Sequence, residues 1–190
     1  DTLTASNGGH QLTAKAYDGA SPSNVRTSAA VNVTVQNQTG GQELLVNGGF
    51  ESTAAPWTLA GNAYRSTGGY PHGGTAYAIL GYYNSANGSA YQAVAIPANA
   101  PANLTFWLNV TSSETTTTTV FDRLHVEVRD SSGALLATLA TFSNLDKAAL
   151  GVYTQRSDSL AAWKGQTAGV QFRAPTDARL ATAFRVDDVS

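Results

Sequence analysis

The chain has 190 residues with no Cys and no Met, 13% charged residues, 42% hydrophobic residues and a formal net charge of −2. Disulfides are excluded, but a domain near this size buries about 70% of its unfolded surface and needs none. Scattered Lys and Arg form no basic stripe, which argues against nucleic acid or a membrane as partner. Since even an initiator Met is lacking, we expect Asp1 to be a cut end, with any export signal already removed.

The first predicted elements are two strands joined by a turn. Small and apolar residues alternate with polar ones over 12–17, turn-forming residues follow at 18–22, and valines alternate with Asn and Thr over 29–35. The pattern predicts a hairpin with one apolar face. Such a hairpin is marginal alone in water, so another surface must cover that face.

Residues 7–18 and 28–35 resemble the end of the immunoglobulin-like modules that separate domains of secreted bacterial enzymes. A complete sandwich of that kind needs about 100 residues, so the front strands are missing. The module is truncated, or the hairpin docks on the next domain, or another chain completes it by strand addition through residues 12–35. We predict a partial immunoglobulin-like module at 1–37, a polar linker at 38–42 and a second domain at 43–190.

The second domain contains nine short apolar segments separated by clusters of Gly, Pro, Asn, Asp or Ser. The segments lie at 44–46, 76–80, 91–96, 104–110, 124–128, 135–142, 153–160, 168–173 and 184–189. A single helical turn at 159–165 is the most helix that the pattern allows. Many short strands with regular punctuation favour an antiparallel β-sandwich.

Two motifs give this domain a family resemblance. Asn47-Gly48-Gly49-Phe50-Glu51 with Trp57 near its start, and residues 184–189 at its end, resemble the carbohydrate-binding-module type of galactose-binding-like jelly roll in secreted bacterial enzymes. The stretches 114–122, 142–145 and 165–167 resemble a subgroup from C-terminal regions of secreted peptidases. The resemblance implies an all-β, antiparallel jelly-roll β-sandwich, an extracellular location and an accessory role.

Catalytic motifs are not evident in the sequence. The three His are far apart, no Gly-x-Ser-x-Gly elbow accompanies them, and no His or Cys pair has zinc-binding spacing. Nothing selects two facing carboxylates among the acids, as a glycosidase would require. We therefore predict that the chain is not itself an enzyme.

Calcium is the predicted cofactor. Gly48 and Gly49 place unhindered backbone beside the Glu51 carboxylate, and calcium prefers such mixed oxygen ligands. The resemblance implies a structural calcium held by Glu51 and by Asp187 or Asp188, with Gly49 beside them. Alternatively, Glu51 caps a turn and the Asp pair ends a strand in water. A second, weaker metal hypothesis groups Glu114, Asp122 and Asp177.

Strand alternation indicates which side chains could contact a ligand. With 104, 106, 108 and 110 in the core, Trp107 faces outward, and the same reasoning places five polar or aromatic side chains outward on other strands: Arg123, His125, Tyr91, Gln171 and Arg173. An aromatic ring beside planar polar groups suits a sugar. Alternatively, a loop or the hairpin covers Trp107, or the ligand binds the loop residues Tyr64, Tyr70, His72, Tyr82 and Tyr83.

These features together predict a non-catalytic, calcium-stabilised accessory module that holds a secreted bacterial enzyme on a polysaccharide or glycan. Two functions of other classes remain open. One is a structural module making protein contacts in a surface layer or filament, or an accessory domain of a secreted peptidase. The other is a hydrolase with two carboxylates converging in a cleft.

Overall fold

The computed structural model of the protein describes residues 8–20, 24–35 and 42–190. Asp1, residues 21 and 22 of the predicted turn and residues 38–41 of the predicted linker lie outside the described residues. The chain forms two compact units, Asp1–Gln42 and Glu43–Ser190. Within the described part of the chain, no helix has the length and apolar character needed to cross a bilayer.

The described part of the first unit contains four short strands, where the sequence predicted two, over 12–17 and 29–35. Strand β1 (Gly8–Leu12) pairs with β4 (Val31–Val35), and β2 (Lys15–Tyr17) pairs with β3 (Val25–Thr27), both antiparallel. Four large apolar side chains of these strands are exposed, namely Leu12, Tyr17, Val25 and Val31. The hairpin's kinship with immunoglobulin-like modules and its pairing partner stay predictions.

The second unit is built from ten strands. They are β5 (Thr58–Ala60), β6 (Tyr64–Ser66), β7 (Tyr77–Gly81), β8 (Asn87–Ala95), β9 (Asn103–Ser112), β10 (Arg123–Arg129), β11 (Leu135–Ser143), β12 (Thr154–Ser159), β13 (Thr167–Pro175) and β14 (Thr182–Asp187). Two short 3₁₀ turns, Asn144–Asp146 and Ala161–Trp163, join strands, and the second lies where one helical turn was predicted.

The ten strands form two antiparallel sheets of five. The front sheet has the order β11-β10-β13-β8-β5, and the back sheet has the order β12-β9-β14-β7-β6. The predicted class, an all-β antiparallel jelly-roll sandwich, is confirmed. Because successive strand residues point to opposite faces, each strand contributes alternate side chains to the core between the sheets and to an outer face.

The core is rich in aromatic and branched aliphatic side chains. Phe106 of β9 and Phe172 of β13 meet edge to face, with ring centroids 5.0 Å apart. The ring centroid of Trp57 lies 5.4 Å from that of Phe50 and 6.2 Å from that of Phe172, and Trp57 is buried in this core. The space between the sheets is therefore filled by side chains.

Three elements of the second unit differ from the prediction. Residues 44–46 form no strand, because the Gln92 side chain satisfies the backbone of Val46, accepting from its N–H at 2.7 Å and donating to its carbonyl at 2.9 Å. Strands β5 and β6 were not predicted, since each has only three residues and no apolar alternation. Strand β5 pairs with β8 and strand β6 pairs with β7, so each is an edge strand of its sheet.

The beginning and end of the second unit lie side by side. The Val189 N–H donates to the Gly48 carbonyl at 3.1 Å, just beyond the end of β14. This contact brings the Asn47–Glu51 motif next to the Asp187-Asp188 pair, as the resemblance implied.

Candidate functional site

Five predicted ligand residues lie together on the outer face of the front sheet. Arg123 and His125 are on β10, Gln171 and Arg173 on β13, and Tyr91 on β8. In the register of this sheet, His125 lies opposite Arg173 and Gln171 lies opposite Tyr91. These side chains therefore form one continuous surface, which we call the front face.

The Tyr91 ring lies over Gly169 of the neighbouring strand β13. A Cβ on Gly169 of β13 would overlap the ring and would come within 2.7 Å of its Cζ and Oη atoms. Only a residue without a side chain leaves room for the ring at this position. The result is a partly exposed aromatic ring on the outer face of the sheet, opposite Gln171 in the register.

A buried carboxylate organises the centre of the front face. Glu127 of β10 is 1% exposed, and its Oε1 lies 2.7 Å from Nη2 of Arg173 while its Oε2 lies 2.5 Å from Nη2 of Arg129. Burial raises the pKa of Glu127, but hydrogen bonds from Arg173 and Arg129 outweigh burial and lower it overall. Glu127 is thus ionised at neutral pH.

The front face also contains polar atoms with no partner in the described residues. Oε1 of Gln171 and Nε of Arg129 are both buried and make no hydrogen bond. Burial, followed by the charges of Arg173 and Arg123, lowers the pKa of His125 despite the opposing charge of Glu127. These two atoms are buried polar groups that no described residue satisfies.

The candidate ligand residues predicted from the sequence did not include Glu127, Arg129 or Gly169. Residues 123, 125, 127 and 129 alternate along one strand, so the same spacing could have found the two charged residues. No sequence signal identifies Gly169, because its role depends on the position of a ring from the neighbouring strand.

Trp107 does not join the front face. It lies on the outer side of β9, which belongs to the back sheet, and the sheets of a sandwich are about 10 Å apart. The His72 ring stacks on Trp107 with centroids 3.8 Å apart and an interplanar angle of 15°. Tyr153 meets His72 edge-on at 5.5 Å. A loop therefore covers Trp107, which was the alternative interpretation of this residue.

The predicted loop group of aromatic residues divides into separate clusters. Tyr70 accepts a hydrogen bond on its carbonyl from the Tyr153 hydroxyl at 2.8 Å, on the same side as His72. Tyr82 and Tyr83 contact each other edge to face at 5.1 Å. Tyr64 packs against a small buried cluster on the back sheet, formed by Tyr77, Ile79 and Ala183.

Glu51 and Asp188 converge beside Gly49. A Cβ on Gly49 would lie 3.3 Å from Oδ1 of Asp188 and 3.7 Å from Oε1 of Glu51. The Glu51 carboxylate accepts from the Thr75 hydroxyl at 2.8 Å and from the Thr75 N–H, and these bonds lower its pKa. Oδ2 of Asp188 contacts Nδ1 of His72 at 2.7 Å.

Asp187 faces away from this pair of carboxylates. Its Oδ2 accepts from the N–H groups of His72 and Gly73 at 2.7 and 3.2 Å, and its Oδ1 accepts from the Asp188 N–H. Burial raises the pKa of Asp187 to about 6, against the opposing effect of these amides. Asp187 therefore anchors the glycine-rich loop that carries His72.

The second acidic group makes contacts within the protein. Asp122 is fully buried, accepting from the Asp177 N–H at 2.8 Å and from the Thr182 hydroxyl at 2.5 Å, while Oε1 of buried Glu114 has no partner in the described residues. Asp177 accepts from the Arg179 N–H. Across the described ranges, no three His, Cys, Asp or Glu side chains are arranged to hold a metal ion.

The fold is that of β-sandwich carbohydrate-binding modules. The structure of TmCBM61 in complex with β-1,4-galactotriose matches 78% of this chain and 97% of its own, with a TM-score of 0.58 and 14% identity. The match with the K1 cleaved adhesin domain of Lys-gingipain from Porphyromonas gingivalis W83 covers 71% of this chain and 89% of that domain, with a TM-score of 0.50 and 14% identity. The match with the family 16 carbohydrate binding module-2 covers 78% of this chain and 98% of that module, with a TM-score of 0.49 and 20% identity. No protein-family model and no curated protein matches the sequence.

Proposed function

We propose that the second unit is a non-catalytic module that binds a carbohydrate across its front face. The observation that carries the proposal is the partly exposed Tyr91 ring, which lies over Gly169 and opposite Gln171. The apolar face of a sugar ring packs on such a surface, while its hydroxyls pair with polar groups at the border. The partly exposed side chains beside the ring, Gln171, Arg173 and His125, provide such polar groups.

The dimensions of the front face suit an oligosaccharide. Strands β5, β8, β13 and β10 are neighbours, and three intervals of about 4.8 Å give a width of about 14 Å. Glu127 is the only acidic residue on β8, β10 and β13, and two arginines already pair with it. The face therefore lacks the two facing carboxylates of a glycosidase, which favours binding over hydrolysis.

Substitution of Tyr91 tests this function. In affinity electrophoresis of the full chain against a panel of soluble polysaccharides, we expect Tyr91→Ala to weaken binding about tenfold, or about 1.4 kcal/mol. Tyr82→Ala is the matched control, because it removes an exposed tyrosine that is not on the front face. Retention of full affinity by Tyr91→Ala, with loss in Tyr82→Ala, would move the site to the loop tyrosines.

We also infer that Glu51 and Asp188 hold a structural calcium beside Gly49. The support is that the two carboxylates lie close to each other beside Gly49, where a Cβ would narrow the space between them. Calcium prefers oxygen ligands such as these. Backbone carbonyls would complete the set, since two carboxylates alone are too few. The bound ion would neutralise the two carboxylates and hold the segments they belong to, with Asp187 positioning the adjoining loop.

The module would serve a secreted bacterial protein by keeping it near its polysaccharide, which raises the local concentration of enzyme and substrate. A structural role is the second candidate. Leu12, Tyr17, Val25 and Val31 expose apolar surface on two-stranded ladders, and such ladders accept further strands from another chain. An accessory role in a secreted peptidase is a third candidate, supported by the resemblance of the stretches 114–122, 142–145 and 165–167. Concentration-dependent association in solution would favour assembly, whereas a monomer retarded by polysaccharide would favour binding.

A further inference from the structure

We propose that the glycan on the front face is acidic, and that a uronic acid carboxylate binds between Arg123 and Arg173 above His125. This inference rests on the proposed function, because it names the ligand class of the same site. It is carried by the arrangement of charges on strands β10 and β13, which differs from the charge balance of the chain as a whole.

The front face is basic in a chain of net charge −2. Strands β10 and β13 contain Arg123, Arg129, Arg173 and a single acid, Glu127, which gives these strands a formal charge of +2. The Glu127 carboxylate is already paired with Arg129 and Arg173. The excess positive charge is therefore not balanced by an acidic residue on either strand.

Two of these arginines have hydrogen-bonding capacity to spare. Arg173 uses Nε and Nη2 on Glu127, and its Nη1 has no partner in the described residues. Arg123 is exposed and forms no ion pair with any described residue. A guanidinium group presents a planar set of donors that matches a carboxylate, and the charge-assisted bonds that result are strong.

His125 lies between the two arginines. It is opposite Arg173 in the sheet register, it is two residues from Arg123 on the same side of β10, and its Nδ1 contacts the Thr141 hydroxyl at 3.2 Å. The charges of Arg173 and Arg123 add to burial in lowering the pKa of His125, while Glu127 opposes them. A bound anion would oppose the arginines further, so it should raise the pKa of His125.

The aromatic surface and the proposed anion site lie next to each other. Arg173 lies two residues beyond Gln171 on β13, about 7 Å along the strand, and Gln171 is opposite Tyr91. One sugar can therefore stack on Tyr91 while a carboxylate of the same chain reaches Arg173. A polymer that combines ring faces with regularly spaced carboxylates, such as a polyuronate, meets both requirements.

The test compares two polymers with the same backbone, polygalacturonate and highly methyl-esterified pectin, by affinity electrophoresis of the full chain, with alginate as a second polyuronate. We expect retardation by a polyuronate at low salt, weak retardation by the esterified polymer, and loss of affinity as NaCl rises. Arg123→Gln should weaken polyuronate binding about tenfold. Arg179→Gln is the control, because Arg179 is exposed on a loop outside the front face.

Arg123→Gln is preferred to Arg173→Gln, since Arg123 supports no ion pair and its loss should leave the fold intact. Titration of the His125 ring by NMR gives an independent reading: galacturonate oligosaccharides should raise its pKa, and neutral galacto-oligosaccharides should not. Equal retardation by the free and esterified polymers, or equal retardation by dextran sulfate, would overturn the carboxylate assignment. So would binding to neutral glycans alone. Failure of every glycan to bind would instead overturn the proposed function itself.

Discussion

At the scale of single residues, Glu127 determines the electrostatic character of the front face. Its carboxylate is almost completely buried, and Arg129 and Arg173 compensate for the lost hydration by hydrogen bonds to both of its oxygens. An apolar side chain at this position would leave Arg173 without an acceptor in the described residues and Arg129 with only the Gly133 carbonyl. Glu127 therefore fixes the orientation of the arginine that we assign to ligand binding.

Replacement of this carboxylate should have a pH-dependent effect on stability. The pKa of Glu127 is lower in the folded state than the ordinary 4.5, so its ionised form stabilises the fold above about pH 4.5 and loses that contribution as the pH falls further. We expect Glu127→Gln to lower the free energy of unfolding by about 2 kcal/mol at pH 7, less than for a fully buried pair because both arginines are partly exposed. The difference from the parent should shrink below pH 4.

Denaturant unfolding at pH 7, 5 and 3.5 would measure this effect. Glu43→Gln is the control, because the Glu43 side chain is exposed and accepts only a local hydrogen bond from the Leu45 N–H. A loss of stability in Glu127→Gln that stays constant across this pH range would show that shape, not charge, explains the role of Glu127.

Alternation along strands allowed five front-face residues to be predicted from the sequence, because the period of two is a property of each strand alone. The same rule placed Trp107 outward but could not say on which sheet. Sheet membership depends on how distant strands pair, and β9 lies next to β12 and β14, not next to β10. The position of the Tyr91 ring over Gly169 could not be predicted for the same reason, because Gly169 is on the neighbouring strand.

At the scale of elements, the glycine-rich loop between β6 and β7 connects distant parts of the chain. Asp187 accepts from its His72 and Gly73 amides, and Glu51 accepts from Thr75 at its end. These carboxylates hold the loop against both ends of the second unit. The proposed calcium, held by Glu51 and Asp188, would join the same segments.

Calcium removal should therefore destabilise the protein. At a calcium concentration one hundred times its Kd the stabilisation is about 2.7 kcal/mol, which corresponds to a fall of about 5–10 °C in Tm on adding EDTA. We expect Glu51→Gln and Asp188→Asn each to abolish this response in a thermal melt. Asp158→Asn on β12, far along the chain from the proposed ligands, should respond to EDTA as the parent does. An unchanged Tm in EDTA for the parent would disprove the calcium proposal.

Most strands of the second unit could be located from the sequence because their apolar alternation is long. The exceptions are short edge strands and the 44–46 segment, whose backbone bonds to a glutamine side chain in place of a neighbouring strand. Three residues give too little pattern to detect, and a side chain that replaces a strand partner leaves no periodic signal. The jelly-roll prediction did not depend on these segments, because it rested on the motifs at 47–51 and 184–189.

At the scale of the whole molecule, the two units differ in how much apolar surface they bury. The main hydrophobic core draws all of its members from the second unit, from Leu45 to Val189. In the described part of the first unit, Leu12, Tyr17, Val25 and Val31 are exposed. Two-stranded ladders are marginal in water without a covering surface.

The second unit should therefore fold by itself. We expect a fragment of residues 43–190 to unfold cooperatively, with a Tm within about 3 °C of the full chain, and to keep the glycan binding of the full chain. A fragment of residues 1–42 should give the circular dichroism spectrum of an unfolded peptide. A large drop in Tm on removal of residues 1–42 would contradict this and would show that the hairpin stabilises the jelly roll.

The contact between Gly48 and Val189 has a consequence for how such a unit can be combined with others. Because the polypeptide enters and leaves the fold at neighbouring points, a host protein needs no long bridge to accommodate the unit within one of its own surface loops. A pulling force applied through the two flanking chains would act on this junction first. Glu51 and Asp188 lie within three residues of this junction. A cation bound by both carboxylates would therefore resist separation of the two segments when a bound polymer is pulled.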